Sequence, residues 1–281
     1  KKNFSIYKSE EKTVLKLIEN INKFIGELTK GVDNKTDLHG DHKGSWQGLN
    51  RPTLSEEGMR ATVEQLVKKT SGIISVEEFG AVGDYNETTK TGTDNYQALM
   101  DCYNYCIANG KKMKFGQGHY GTNRPLSFPE LIGLEGEGLD ATKIIAMAPM
   151  ETLLTIPYFD RSDIRDITID GGGFANTCVD TSWDTVGPSL NTAYERVFVR
   201  GYKKWGWIAE NNNDVYWDKV FIAEPLDYNT SLGAVKTWGS GGPIQFLNCN
   251  FLDLVNVGGQ YISFINCVNK GIVVEGPGFN M

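Results

Sequence analysis

A stripe of apolar residues runs along the first thirty positions of the chain. Its members recur at spacings of three and four residues, the rhythm of a heptad seam: Val14, Leu17, Ile21, Phe24 and Leu28. The pattern predicts an amphipathic helix within residues 1–34. Ile18 and Ile25 widen the stripe, which favours a coiled coil of more than two helices, while one helix packed on its own chain is the alternative.

A polar stretch follows, and after it comes a second amphipathic pattern. Thr53 and Glu56 have the spacing of a capping box, in which two side chains satisfy free backbone N–H groups at a helix start. An apolar face then precedes Ser71-Gly72, where the pattern ends: Met59, Val63, Leu66 and Val67. We therefore predict a connector loop and a second helix within residues 35–72.

The periodicity changes at Ile73, where alternating apolar residues predict a short strand that runs into a glycine turn at Gly80 and Gly83. Asp94 and Gln97 again have capping-box spacing. An apolar helical face follows them: Tyr96, Leu99, Tyr103, Cys106 and Ile107. Asn109-Gly110 is a typical helix end, so a third helix is predicted here.

A six-residue motif recurs five times after residue 160. Its copies begin at Ile164, Tyr194, Trp217, Phe246 and Phe264, at intervals of 30, 23, 29 and 18 residues. The first position is large and apolar, the third is polar, and the fourth is Ile, Val or Cys. Short β segments repeated at such intervals indicate the coils of a solenoid.

Stacked coils place equal motif positions in columns about 4.8 Å apart. The fourth position predicts an inward column: Ile167, Val197, Val220, Cys249 and Cys267. The third position is expected to turn the corner, where Asn248 and Asn266 would form an amide ladder. The predicted fold class is mainly β: a parallel β-helix with coils over 161–281, preceded by an N-terminal α-helical coiled-coil stalk.

Composition and charge narrow the range of partners. The 32 glycines fit a chain of many turns rather than a helical bundle. The net charge is −7 and the sequence has no stripe of Lys and Arg, so we expect no positively charged surface that could bind nucleic acid. No apolar run reaches the roughly 18 residues that cross a bilayer, so we expect no membrane insertion. The five irregularly spaced cysteines indicate neither a zinc site nor a disulfide framework.

Three segments resemble the opening of pectate-lyase-like right-handed parallel β-helices: VEEFGAVGD (76–84), TDNYQAL (93–99) and FGQGHY (115–120). LEGEG (134–138) and TKII (142–145) are similar to the glycine-rich segment before that family's first full coils. The resemblance covers about residues 75–281 and implies right-handed coils closed by a cap over 73–160. It implies no single function, because the same cap precedes lyases, hydrolases and non-enzymes.

The helical segment, the GSWQG loop (44–48) and the β-helix together resemble bacteriophage tailspikes and virion appendages. That resemblance implies a homotrimer whose residues 1–34 form a stalk and whose residues 35–72 attach it to tail or neck proteins of the virion. It also implies that the β-helix presents a surface to host glycans, with extracellular action at the host surface. No polar closing coil follows Gly271, so we expect the chain to be truncated inside a longer protein.

The outward second position of the motif supplies candidate catalytic residues. It stacks Arg165, Glu195, Asp218, Leu247 and Ile265. Glu195 beside Asp218 would hold two carboxylates near the separation used by retaining glycosidases, with one pKa raised by the other charge. The alternative is a pair of solvated surface acids. Leu247 and Ile265 would form an exposed apolar patch, which we expect at the trimer interface together with the heptad seam.

Four tryptophans are candidates for glycan binding, because flat indole faces stack on sugar rings: Trp205, Trp207, Trp183 and Trp238. Trp183, Tyr228 and Trp238 are expected on corner loops. Burial in the core or in an interface is the alternative for Trp205 and Trp207. Trp217 has an inward motif position and is assigned to the core.

Metal and hydrolase signatures are missing from the sequence pattern. The Asn-Thr-Asp, paired Asp, His-Gly and Arg-x-Lys motifs of the family's polygalacturonases do not occur after residue 160. Asp160, Asp163, Asp166 and Asp170 are expected to face outward at different corners, and His39 and His42 lie on a predicted surface loop. We predict no metal and no cofactor.

These patterns favour a trimeric phage tailspike, tail fibre or appendage protein that recognises host surface polysaccharide. The first alternative is a polysaccharide depolymerase of the same architecture, a glycoside hydrolase or a lyase. The second is a secreted pectin-degrading enzyme, which the helical stalk and the missing hydrolase motifs disfavour.

Overall fold

Parallel strands dominate the structure, a computed structural model that describes residues 72–157, 162–182, 192–211, 214–240, 243–259 and 262–274. The predicted stalk seam and the predicted helix after Thr53 lie outside the described residues. In the part of the chain that is described, no helix is long and apolar enough to span a bilayer.

The described residues form one α-helix, one 3-10 helix and eighteen strands. In chain order these are β1 (Ile73–Ser75), the 3-10 helix (Val76–Phe79), α1 (Tyr96–Asn109), β2 (Lys112–Lys114), β3 (Gly118–Thr122), β4 (Leu126–Ser127), β5 (Gly133–Glu135), β6 (Thr142–Ala146), β7 (Met150–Thr155), β8 (Asp163–Asp170), β9 (Ala175–Asp180), β10 (Thr192–Arg200), β11 (Trp205–Ile208), β12 (Val215–Asp218), β13 (Phe221–Ile222), β14 (Gly233–Ser240), β15 (Ile244–Leu247), β16 (Asn250–Gly259), β17 (Ile262–Ile265) and β18 (Val268–Val274).

The strands pair in three parallel columns. The first column is β1, β2, β5, the start of β8, the start of β10, β12, β15 and β17. The second is β3, β6, the end of β8, the end of β10, β13 and the starts of β16 and β18. The third is β4, β7, β9, β11, β14 and the ends of β16 and β18. Because each strand pairs with the equivalent strand one coil further on, the chain folds as a parallel β-helix.

The strand register confirms the five-copy repeat. Tyr194 pairs with Ile164 on one side and with Trp217 on the other, and the pairing continues through Phe246 to Phe264. Of the five side chains in the column predicted for the fourth motif position, four are buried and the fifth, Cys267, is half-buried. All five cysteines are free thiols, and burial raises the pKa of Cys249 to about 12.

The corner between the first and second columns is made by left-handed residues at the third motif position. Their φ angles are 56° at Asp166, 50° at Arg196, 54° at Lys219, 51° at Asn248 and 55° at Asn266. The Asn266 side-chain amide donates to Oδ1 of Asn248 at 2.8 Å. The predicted asparagine ladder is therefore present, and it stabilises a bend that Asn tolerates better than most residues.

An aromatic stack fills the core of the later coils. Trp217 is fully buried, as predicted, with its ring centroid 4.8 Å from Tyr194, 4.7 Å from Trp207 and 5.2 Å from Phe246. Phe264 extends the stack by lying parallel to Phe246 at 4.7 Å. Large rings at one motif position thus contact one another along the solenoid, in stacked, tilted and edge-to-face arrangements.

The N-terminal end of the core is covered by α1. Leu99, Cys102 and Cys106 are completely buried, and Gly110 ends the helix in the left-handed conformation, as predicted. The predicted capping box is wrong in one respect. Asp94 does accept a hydrogen bond from the Tyr96 N–H, but the Gln97 side chain donates to Asp101 one turn along the helix instead of turning back to the cap.

An ion network ties the loop after the 3-10 helix to the second column. Glu87 accepts hydrogen bonds from Lys143 at 2.6 Å and from Arg200 at 3.0 Å, and it lies 3.4 Å from His119. The hydrogen bond from Lys143 lowers the pKa of Glu87, although partial burial acts in the opposite direction. The loop is thereby joined to strands β3, β6 and β10 through one carboxylate.

Candidate functional site

The outer face of the first column displays two neighbouring rows of side chains. The register stacks the first row in the predicted order: Arg165, Glu195, Asp218, Leu247 and Ile265. Two residues earlier on each strand, the same pairing stacks a second row: Asp163, Ala193, Tyr216, Gln245 and Ser263. Because strand residues alternate between faces, both rows point away from the aromatic core.

The two predicted catalytic acids are register partners on adjacent strands. Glu195 contacts Nη1 of Arg196 at 3.3 Å, and Asp218 accepts a hydrogen bond from Asn248 at 3.1 Å with Nζ of Lys219 at 3.8 Å. The structure therefore brings Glu195 and Asp218 side by side, and it also gives each carboxylate its own polar partner.

Other charges on this face are neutralised in pairs. Asp163 contacts Lys112 at 2.5 Å and also contacts Arg165. Arg196 donates two hydrogen bonds to Asp166, at 2.5 and 2.8 Å, and these bonds raise the pKa of Arg196 above its ordinary value. Among the described residues, no group of three His, Cys, Asp or Glu side chains is arranged to hold a metal ion.

A depression of about 390 Å³ lies beside the second row, at the start of strands β10, β12 and β15. Thr192, Ala193, Asp214, Val215, Tyr216, Pro243 and Gln245 line it. Tyr216 is 39% exposed, and Gln245 is exposed beside it on the next strand. The depression thus combines an accessible aromatic residue, an amide and a carboxylate.

The tryptophans predicted to bind glycan differ in burial and in their place in the fold. Trp207 is fully buried and donates its indole N–H to Thr181 at 3.0 Å, so the structure favours the alternative of core burial and corrects the assignment of Trp207 to glycan binding. Its strand neighbour two residues away, Trp205, is half-buried. Trp183 lies outside the described residues. Trp238 belongs to strand β14 rather than to a corner loop, which corrects its predicted place in the fold.

The two apolar residues of the first row differ in exposure. Ile265 is 53% exposed, whereas Leu247 is half-buried. They are stacked as register partners, so the row changes from charged to apolar between Asp218 and Leu247. Their role in a trimer interface stays a prediction.

Sequence reasoning missed the residues of the depression. Tyr216 immediately precedes the inward Trp217, and Gln245 immediately precedes the inward Phe246, so strand alternation alone places both side chains outward. That signal was available in the repeat. Asp214 lies before the strand begins and has a φ of 52°, which no sequence pattern marked.

Comparisons with known proteins find similarity in structure alone. The sequence matches no protein-family profile and no curated protein. Among solved structures, ORF18 of Geobacillus virus E2 is 14% identical with a TM-score of 0.56, over 79% of this chain and 53% of that protein. A putative glycosyl hydrolase from Parabacteroides merdae is 13% identical with a TM-score of 0.53, over 71% of this chain and 98% of that one. The chain shares their fold.

An N-terminal fragment of gene product 12 of bacteriophage phi29 is 14% identical to this chain. The match has a TM-score of 0.46 and covers 77% of this chain and 44% of that fragment. The chain spans about half the length of the Geobacillus virus protein that it matches. The structures that share this fold thus include a virus protein and a putative glycosyl hydrolase, at identities that establish the fold and nothing further.

Proposed function

We propose that this chain is a phage appendage protein of the tailspike or tail fibre type, which recognises host surface polysaccharide through its β-helix. The depression beside Tyr216 is the observation that carries the proposal. An accessible aromatic ring flanked by hydrogen-bonding groups is the arrangement that stacks on the apolar face of a sugar and fixes its hydroxyls. The fold that the chain shares with a Geobacillus virus protein supports the phage origin.

The Tyr216→Ala variant tests this role. Loss of the ring should weaken binding of a cognate polysaccharide about tenfold, equivalent to about 1.4 kcal/mol, because the stacking surface is removed while the backbone is kept. An array of bacterial surface polysaccharides identifies the ligand, and surface plasmon resonance measures its affinity. The matched control is Tyr105→Ala, a tyrosine 37% exposed on α1. Equal binding by wild type and both variants would contradict the proposed site.

In the proposed assembly three chains associate through the heptad seam and through the patch at Leu247 and Ile265. The N-terminal residues attach the trimer to tail or neck proteins of the virion. Light scattering of the full chain should give the mass of a trimer. A stable monomer at micromolar concentration would refute this part of the proposal.

A polysaccharide depolymerase is the second candidate, because the register brings Glu195 next to Asp218. Carboxylates about 5 Å apart act as nucleophile and acid in retaining glycosidases. If the pair is catalytic, Glu195→Gln should reduce release of oligosaccharides from a cleavable host polysaccharide by at least a hundredfold, as removal of an essential acid does. Glu137→Gln, an exposed acid paired with Lys114 away from the pair, should keep full activity. Undiminished cleavage by Glu195→Gln would exclude this mechanism.

A further inference from the structure

Asp214 differs from the other carboxylates near this face. Glu135, Asp163, Asp166 and Glu195 each contact an arginine, and Asp218 contacts Asn248 and Lys219. Within the described ranges, no side chain or backbone N–H is bonded to the Asp214 carboxylate, although the residue is half-buried. A partly buried carboxylate without a protein donor is available to accept hydrogen bonds from a ligand.

The backbone around Asp214 is fixed by its neighbours. The Thr192 N–H donates to the Asp214 carbonyl at 3.3 Å, and the Val215 N–H donates to the Pro243 carbonyl at 3.1 Å. These bonds link three successive coils at the floor of the depression. The backbone that carries Asp214 and Tyr216 is therefore hydrogen-bonded to the neighbouring coils, which lowers the entropy cost of ordering it when a ligand binds.

The depression contains no positive charge among its lining residues, since these are Thr192, Ala193, Asp214, Val215, Tyr216, Pro243 and Gln245. The strands that line it also carry Glu195 and Asp218, one on β10 and one on β12. The arginine near Glu195 is already held by Asp166 through two hydrogen bonds. An anionic sugar in this depression would meet a carboxylate with no cation to offset it.

We propose that the depression binds a sugar residue without negative charge, neutral or amine-bearing, whose donors hydrogen-bond to Asp214 while its ring stacks on Tyr216. This inference rests on the proposed function and names the chemical class of polysaccharide recognised. Gln245 supplies a second group that can both donate and accept hydrogen bonds at the rim. Uronates, sialates and phosphate-bearing polymers are excluded by charge.

The experiment uses the full chain and the polysaccharide array, with its members sorted by charge. Bound members should be neutral or amine-bearing. A bound neutral polymer is then oxidised at its primary hydroxyls to carboxylates, which changes charge and keeps the sugar backbone. Wild type should bind the oxidised polymer at least tenfold more weakly than the parent. The Asp214→Asn variant should discriminate between the two polymers by less than threefold, because the repelling charge is gone.

Asp140→Asn is the matched control, an exposed aspartate on the turn before β6, and it should keep the wild-type discrimination. Circular dichroism of each variant verifies that the β-helix is intact. Preferential binding of anionic polysaccharides by wild type would contradict the proposed absence of negative charge on the bound sugar. It would not contradict the proposed recognition of host polysaccharide. If Asp214→Asn discriminated between the parent and the oxidised polymer as wild type does, the proposed role of Asp214 would be contradicted. The proposed recognition of host polysaccharide would again be unaffected. Failure of wild type to bind any polysaccharide would overturn the proposed function as well.

Discussion

Replacing Trp217 with alanine should lower the free energy of unfolding by about 3–5 kcal/mol, the range measured for loss of a large buried aromatic side chain. Trp217 is fully buried, and its ring contacts Tyr194, Trp207 and Phe246 on three different strands. These strands are held by the coil backbone and cannot close fully over the space left behind. Urea denaturation followed by circular dichroism measures the change.

The neighbouring residue provides the control for this prediction. Tyr216 lies on the same strand as Trp217 and is also a large aromatic residue, but it points outward and is 39% exposed. Tyr216→Ala should therefore cost less than about 1 kcal/mol, since exposed substitutions away from buried contacts have small effects. Similar losses for the two variants would mean that the side chains of β12 do not face as described.

Gly118→Ala should also destabilise the protein, by about 2–6 kcal/mol. Gly118 has a φ of 146°, a region that residues with a Cβ rarely adopt. A Cβ added there would lie 2.8 Å from the backbone Cα of Gly83, where the loop after the 3-10 helix meets β3. The cost combines about 1–3 kcal/mol of backbone strain with about 1–3 kcal/mol of overpacking. Thermal and urea unfolding both report it.

Gly72→Ala is the comparison for this second substitution. Among the residues that the structure describes, a Cβ at Gly72 meets nothing within 4 Å, and Gly72 has no left-handed φ. Its replacement should change stability by less than about 0.5 kcal/mol. If Gly118→Ala proved equally mild, the close approach between Gly83 and Gly118 would not be needed for the cap.

The repeat was readable from sequence because stacked coils repeat the same physical environment. The first motif position always faces the core, so it is always large and apolar, and the third always makes the left-handed bend, so it is polar. The ladder between Asn248 and Asn266 follows from that rule alone. Fold class and register could be predicted for this reason.

The position of Asp214 and the burial of Trp207 could not be predicted in the same way. The segments between motifs vary in length, so the motif register does not determine which residues of β11 face inward. Trp207 packs against Tyr194 and Trp217, and that contact depends on where the third column lies relative to the first. Asp214 sits in a segment outside the motif, and no sequence pattern marks a carboxylate that lacks a hydrogen-bond partner among the described residues.

The carboxylate of Glu87 has a consequence for the order in which the chain folds. Its hydrogen-bond partner Arg200 lies 113 residues later, whereas coils of a solenoid otherwise depend on their immediate neighbours. During synthesis from the N-terminus, the loop that carries Glu87 is made long before β10 leaves the ribosome. The contact between them therefore forms late, and it joins the start of the solenoid to its second motif-bearing strand only after the intervening coils have formed.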